Sequence, residues 1–214
     1  MKLIGDPVKP KIKILIADDH AIVRIGLSAL LKTESDLSVV GVAKDGEEAV
    51  AEALRLNPDV IVMDLMMPKK NGVEATAEIH ERLPGTKIII LTTFAASDGI
   101  KHALDAGATG AVMKTAEDAE LVSIIRAVAA GDTVISDEIQ QLLTEDPPAE
   151  DLTPRQLEIL ESVTRGFTNA DIAKQFGIRE QSVKEHISTI LAKIGAANRS
   201  EAVAITMRKH LLKI

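Results

Sequence analysis

Between residues 11 and 130, short apolar runs alternate with longer amphipathic stretches. The runs are Ile12–Ala17, Ser38–Val42, Val60–Met63, Lys87–Leu91 and Gly110–Met113, rich in Val, Ile and Leu. Nearly continuous apolar runs of this kind mark strands buried on both faces of a parallel sheet. The intervening segments carry helical periodicity: Ile22, Val23, Leu27, Leu30 and Leu31 in the first, Leu121, Ile124, Ile125 and Val128 in the last. Five strand-then-helix units predict an α/β fold, a doubly wound five-stranded parallel sheet over residues 11–131.

From Gly131 the pattern changes. Ile139, Leu142 and Leu143 predict a short helix, and Thr144–Asp151 is acidic and carries Pro147-Pro148, so residues 132–150 are read as a linker containing that helix. Residues 151–214 show only helical patterns, with starts at Thr153-Pro154 and Thr168-Asn169. An all-α domain of four helices is expected there.

Composition narrows the function. The 214 residues contain no cysteine, which excludes disulfides, thiolate metal sites and thiol nucleophiles. No apolar run exceeds four residues, and Met1–Pro10 lacks the apolar core of a secretory signal, so neither a membrane partner nor export is expected; a cytoplasmic location is. Three Phe, no Trp and no Tyr argue against base stacking on aromatic platforms. The net charge of −7 divides unevenly, into −10 for residues 1–150 and +3 for residues 151–214. The basic surplus of the second half hints at nucleic acid.

In an open α/β sheet, functional groups gather at the carboxyl ends of the strands. Asp18 and Asp19 follow the first run and Asp64 the third, whereas Asp59 lies at the opposite end. Strands one and three are neighbours in a doubly wound sheet, so these three carboxylates should converge. Their mutual repulsion calls for a cation, and an all-oxygen donor set suits Mg²⁺. Thr92-Thr93 and Lys114 end the fourth and fifth runs and add a hydroxyl and an ammonium to the same rim. These are the parts required to place a phosphoryl group on an aspartate.

Ala17-Asp18-Asp19-His20, Val62-Met63-Asp64-Leu65-Met66-Met67-Pro68 with Gly72, Leu91-Thr92-Thr93 and Met113-Lys114 resemble the receiver domain of bacterial two-component response regulators, a CheY- or flavodoxin-like fold. The resemblance implies that Asp64 accepts the phosphoryl group and that Asp18, Asp19, Asp64 and the Met66 backbone carbonyl hold Mg²⁺. Thr92 and Lys114 would then bind the phosphoryl oxygens. Ala111 stands where many receivers carry a switching aromatic, which removes that signal, and Thr115 replaces a frequent proline. Met66 and Phe94 flank the path of the hydrolytic water in such domains; two apolar groups there predict a long-lived phosphoryl group.

In the second half, Ala173 and Gly177 have the spacing of a helix-turn-helix, with Ile172, Phe176, Ile178 and Val183 as buried positions and a second helix over about Glu180–Ile194. With Leu152-Thr-Pro-Arg155, Gly166-Phe-Thr-Asn169, Val183-Lys-Glu-His186, Lys193-Ile-Gly195 and Arg199-Ser-Glu-Ala-Val203, this region resembles the LuxR-type DNA-binding domain. The pair of domains is that of the NarL/FixJ type of response regulator. Recognition helices meet base edges through their N-terminal residues. Lys184, Glu185 and Ser188 fall on one face as base-reading candidates; Thr168, Arg179, Gln181, Ser182 and Lys193 are phosphate-contact candidates. His186 is read as half-buried and structural. Gln156 replaces a frequent Glu, which removes a buried ion pair, and Arg179 stands where a Ser or Thr would cap the recognition helix.

The function expected is a transcription regulator, not an enzyme, in which a sensor histidine kinase phosphorylates Asp64 and thereby controls dimerisation and promoter binding. The implied partners are that kinase, promoter double-stranded DNA, a second copy of the chain on activation and, as a further candidate, RNA polymerase. Dimerisation is expected through the last helix, about Ser200–His210, with Ala202, Val203, Ala204 and Ile205 as its apolar surface; the receiver's first or last helix could add a second contact. A haloacid-dehalogenase-like phosphatase is disfavoured because Met66 stands where that chemistry needs a second Asp. A regulator independent of phosphorylation is the remaining alternative.

Overall fold

The computed structural model describes residues 10–93, 97–146, 148, 152–209 and 211–212. The described residues divide into two compact units, one of residues 10–93 and 99–145 and the other of residues 97–98 and 146–212. In the first unit β1 (Ile12–Ala17), β2 (Leu37–Ala43), β3 (Val60–Asp64), β4 (Lys87–Thr92), β5 (Gly110–Met113) and β6 (Val134–Ile135) form one sheet, ordered β2-β1-β3-β4-β5-β6. Every pairing is parallel.

Side chains alternate between the two faces of a strand, and two cores result. Leu15, Ile61, Met63, Ile88 and Ile90 pack with α2 (Gly46–Leu56), α3 (Gly72–Arg82) and α4 (Ser97–Asp105) through Ala53, Ile79 and Ile100. Ile14, Ile16, Val62, Ile89 and Leu91 pack on the other face with α1 (Ala21–Lys32) and α5 (Asp118–Ala130) through Leu31, Leu121, Ile125 and Val128. Continuous apolar strands are thus the consequence of a sheet covered on both sides.

The sheet has six strands, not five. β6 is two residues long, too short for a periodic signal, and pairs Val134 with Gly110 and Ile135 with Ala111. The short helix expected after it, α6 (Asp137–Glu145), buries Ile139 in the first core together with Ala111. Residues 134–145 are therefore part of the sheet unit rather than of a linker.

The second unit contains α7 (Pro154–Thr164), α8 (Asn169–Phe176), α9 (Glu180–Ile194) and α10 (Arg199–Arg208) around Ile159, Leu160, Val163, Ile172, Val183, Ile190, Ile194 and Ile205. Pro154 begins α7, and Gly177 ends α8 in the left-handed conformation (φ +64°) that glycine adopts without a Cβ penalty.

Candidate functional site

Strand register assembles an acidic rim. β1 ends at Ala17, paired with Met63, so Asp18 and Asp64 emerge side by side; Asp64 in turn pairs with Leu91, just before Thr92. Thr92 pairs with Met113, and the Lys114 N–H donates to the Thr92 carbonyl at 2.7 Å. Asp18, Asp64 and Thr92 are buried, while Asp19 is more open. Lys114 Nζ lies 2.7 Å from Asp18 Oδ2 and 2.9 Å from Asp64 Oδ2, one ammonium shared by two buried carboxylates.

Burial pushes the Asp64 carboxyl above the ordinary range, and the Lys114 ammonium opposes this without reversing it. Lys114 itself is pushed down by burial, but Asp18 and Asp64 raise it on balance, so it stays charged. Ligand atoms of Asp18, Asp19, His20 and Asp64 all lie within 4.8 Å of one another. Lys114 pairs with two of the three carboxylates, Asp19 lies beside His20 instead, and this acidic cluster can hold a divalent cation. The His20 imidazole Nδ1 sits 2.7 Å from Asp19 Oδ1, and Arg24 Nη1 donates to the Asp18 carbonyl at 2.7 Å. The role of Arg24 carried no pattern in the sequence.

Met66, which follows in the loop after β3, has its backbone N–H 3.5 Å from Asp64 Oδ1 and its side chain half-exposed. Phe94, expected to flank the same path, lies outside the described residues. Ala111 is buried in the core beside the sixth strand, as a residue without a switching ring can be. Asp59 sits at the opposite end of the sheet, where its Oδ2 accepts from the Lys13 N–H at 2.7 Å.

In the helical unit, Lys184, Glu185 and Ser188 are exposed on one face of α9, opposite the buried Val183 and Ile190. His186 and Ile187 are half-buried. Gln181 Nε2 donates to Glu185 Oε1 at 3.3 Å. Arg179 occupies the N-cap of α9 without a side-chain cap, leaving a cation at that helix start; Ser182 and Lys193 are partly buried. Thr168 is exposed, but its hydroxyl closes a capping box with Asp171 at the start of α8. Gln156 does the same for α7: its Oε1 accepts the Thr153 N–H at 2.9 Å, so the amide has a partner at this buried position.

The apolar surface expected on α10 needs correction. Ala202 and Ile205 belong to the core of the unit, because they face α7 and α9, and only Ala204 and the half-exposed Met207 with part of Val203 remain outward. His210 lies outside the described residues.

Family models match both units: "Response regulator receiver domain" over residues 14–126 and "Bacterial regulatory proteins, luxR family" over residues 150–206. The response regulator protein VraR of Staphylococcus aureus is 37% identical over 207 residues, covering 94% of this chain and 99% of VraR. The response regulator ChrA of a heme-sensing two-component system aligns with a TM-score of 0.58 and 30% identity, over 95% of this chain and 100% of that one. A structure of two RcsB dimers bound to two parallel DNAs aligns with a TM-score of 0.69 and 25% identity, over 92% and 98%. The chain belongs to the two-component response regulators that join a receiver domain to a luxR-family DNA-binding domain. It is a transcription regulator rather than an enzyme.

Proposed function

We propose that Asp64 is the phosphoryl acceptor, and that its modification by a sensor histidine kinase controls dimerisation and promoter binding. The observation that carries this reading is the Lys114 ammonium, at the end of β5, shared between Asp64 of β3 and Asp18 just past β1. An Asp64 oxygen attacks phosphorus in line; the donor's P–N bond breaks, and the leaving imidazole keeps the electron pair and takes a proton from solvent. Lys114 then pairs with one phosphoryl oxygen and the Thr92 hydroxyl donates to another. Asp18, Asp19, Asp64 and the Met66 carbonyl would hold Mg²⁺, which would supply further charge compensation to the phosphoryl oxygens.

The receiver role is assigned to residues 11–131 and the DNA-binding role to residues 151–214. Lys184, Glu185 and Ser188 read base edges in the major groove, while Thr168, Arg179, Gln181, Ser182 and Lys193 set the register on the phosphates. Two copies of the chain hold two half-sites, as RcsB dimers occupy DNA. Among the described residues no helix is long and apolar enough to cross a membrane, and a cytoplasmic location suits contact with DNA and kinase.

Acetyl phosphate with Mg²⁺, read by intact mass, tests the assignment. Wild type gains one phosphoryl group and Asp64→Asn gains none. An unlabelled wild type overturns the reading. Promoter footprints unchanged by the donor would favour regulation independent of phosphorylation.

A further inference from the structure

The loop between β3 and α3, which carries Met66, is held from outside the acidic rim. Asp45, buried at the start of α2, places Oδ2 2.6 Å from Lys69 Nζ, while its Oδ1 accepts the Glu48 N–H at 2.9 Å. Lys69 has a φ of +64°, a left-handed conformation that is strained for a lysine and persists only where surroundings impose it. Beside it, a Cβ on Gly46 would lie 2.0 Å from the Lys70 carbonyl oxygen, so the two backbones pack without room for a side chain. The other end of the loop closes where Gly72 N–H donates to the Leu65 carbonyl at 2.9 Å, and a Cβ on Gly72 would lie 2.3 Å from the Asp64 carbonyl oxygen.

We propose that Asp45, Gly46 and Lys69 form a positioning clamp that sets the β3–α3 loop so that the Met66 carbonyl is presented to the cation. The inference rests on the reading of the rim as a Mg²⁺ and phosphoryl site. Asp45 and Lys69 touch neither cation nor phosphate; they act through the loop. A loop released from the clamp samples other backbone states, and the ordering cost then falls on cation binding.

Asp45→Asn separates the two functions of that residue, because asparagine caps a helix as well as aspartate does but carries no charge for Lys69. Mg²⁺ is titrated into the full chain by calorimetry, and melting is followed without Mg²⁺. The clamp predicts a Mg²⁺ affinity about tenfold weaker in Asp45→Asn with little change in melting, and near wild-type affinity in Lys69→Arg. Gly46→Ala, which displaces the Lys70 carbonyl, weakens binding in the same direction. Equal Mg²⁺ affinity in Asp45→Asn, Gly46→Ala and a wild type that accepts phosphate overturns the clamp and leaves the site assignment standing. A wild type that neither binds Mg²⁺ nor takes the label overturns both.

Discussion

The two units differ in where they bury charge. The sheet unit buries Asp18, Asp45 and Asp64 and nearly buries Lys114 at its rim. The charged side chains of α7 to α10 are instead exposed or partly exposed, and only Lys209, just past α10, is buried among the described residues 152–212. A buried carboxylate is costly unless a cation faces it, so its environment is sensitive to any change of partner. That sensitivity suits the phosphoryl-acceptor role proposed for Asp64. Surface charges gain little from each other, are screened by salt, and remain available to a polyanion. The contrast separates a region that registers a chemical event from one that reads a charged lattice.

Removing Lys114 should break the comparison most strongly. Lys114→Met leaves Asp18 and Asp64 buried side by side without their ammonium, and a loss of about 3 kcal/mol is expected in urea unfolding with EDTA present. Mg²⁺ should restore part of it, since a cation replaces the lost charge. A variant as stable as wild type in EDTA would mean that the pair contributes no net stabilisation.

Lys184→Ala tests the exposed side of the contrast. Its expected cost is about 2 kcal/mol in promoter affinity if it reads a base, with folding stability unchanged. A uniform loss across sequences, with a salt slope reduced by about one, would assign Lys184 to a phosphate instead.

The smallest effect concerns a surface pair within the sheet unit. Arg126 bonds Asp36 through two nitrogens, at 2.8 and 2.7 Å, and also Glu34. The Arg126 hydrogen bonds hold the Asp36 carboxyl at about 2, against an ordinary 3.8. A depressed folded value means that this contribution is complete above pH 3.8 and disappears as pH falls toward 2. Asp36→Asn should flatten the acid limb of a melting curve in that window only; an unchanged limb would show that solvent screening cancels the pair.

Much of this organisation was readable along the chain. Asp18, Asp64 and Lys114 each follow a β-branched run, and strand order alone brings them to one rim. The helix-turn-helix was readable because Ala173, Gly177 and Val183 occupy positions where two helices approach. β6 was not, since two residues show no period. The apolar residues of α10 were visible but their direction was not: a ten-residue helix with apolar residues at consecutive positions 202–205 does not say which of them face inward. Asp45, which caps α2 by accepting the Glu48 N–H, was not singled out along the chain, and its partner Lys69 lies 24 residues away, beyond any local pattern.

The sequence by itself determined the period of each element, the residues at the strand ends and the division of charge into an acidic and a basic half. These follow from local patterning, which the chain carries residue by residue. Only the tertiary structure decided that one ammonium serves two aspartates, that residues 134–145 complete the sheet unit, and that a buried aspartate on α2 grips the loop after β3. Those outcomes depend on which distant groups burial forces together, where an unpaired charge is too costly to leave without a partner.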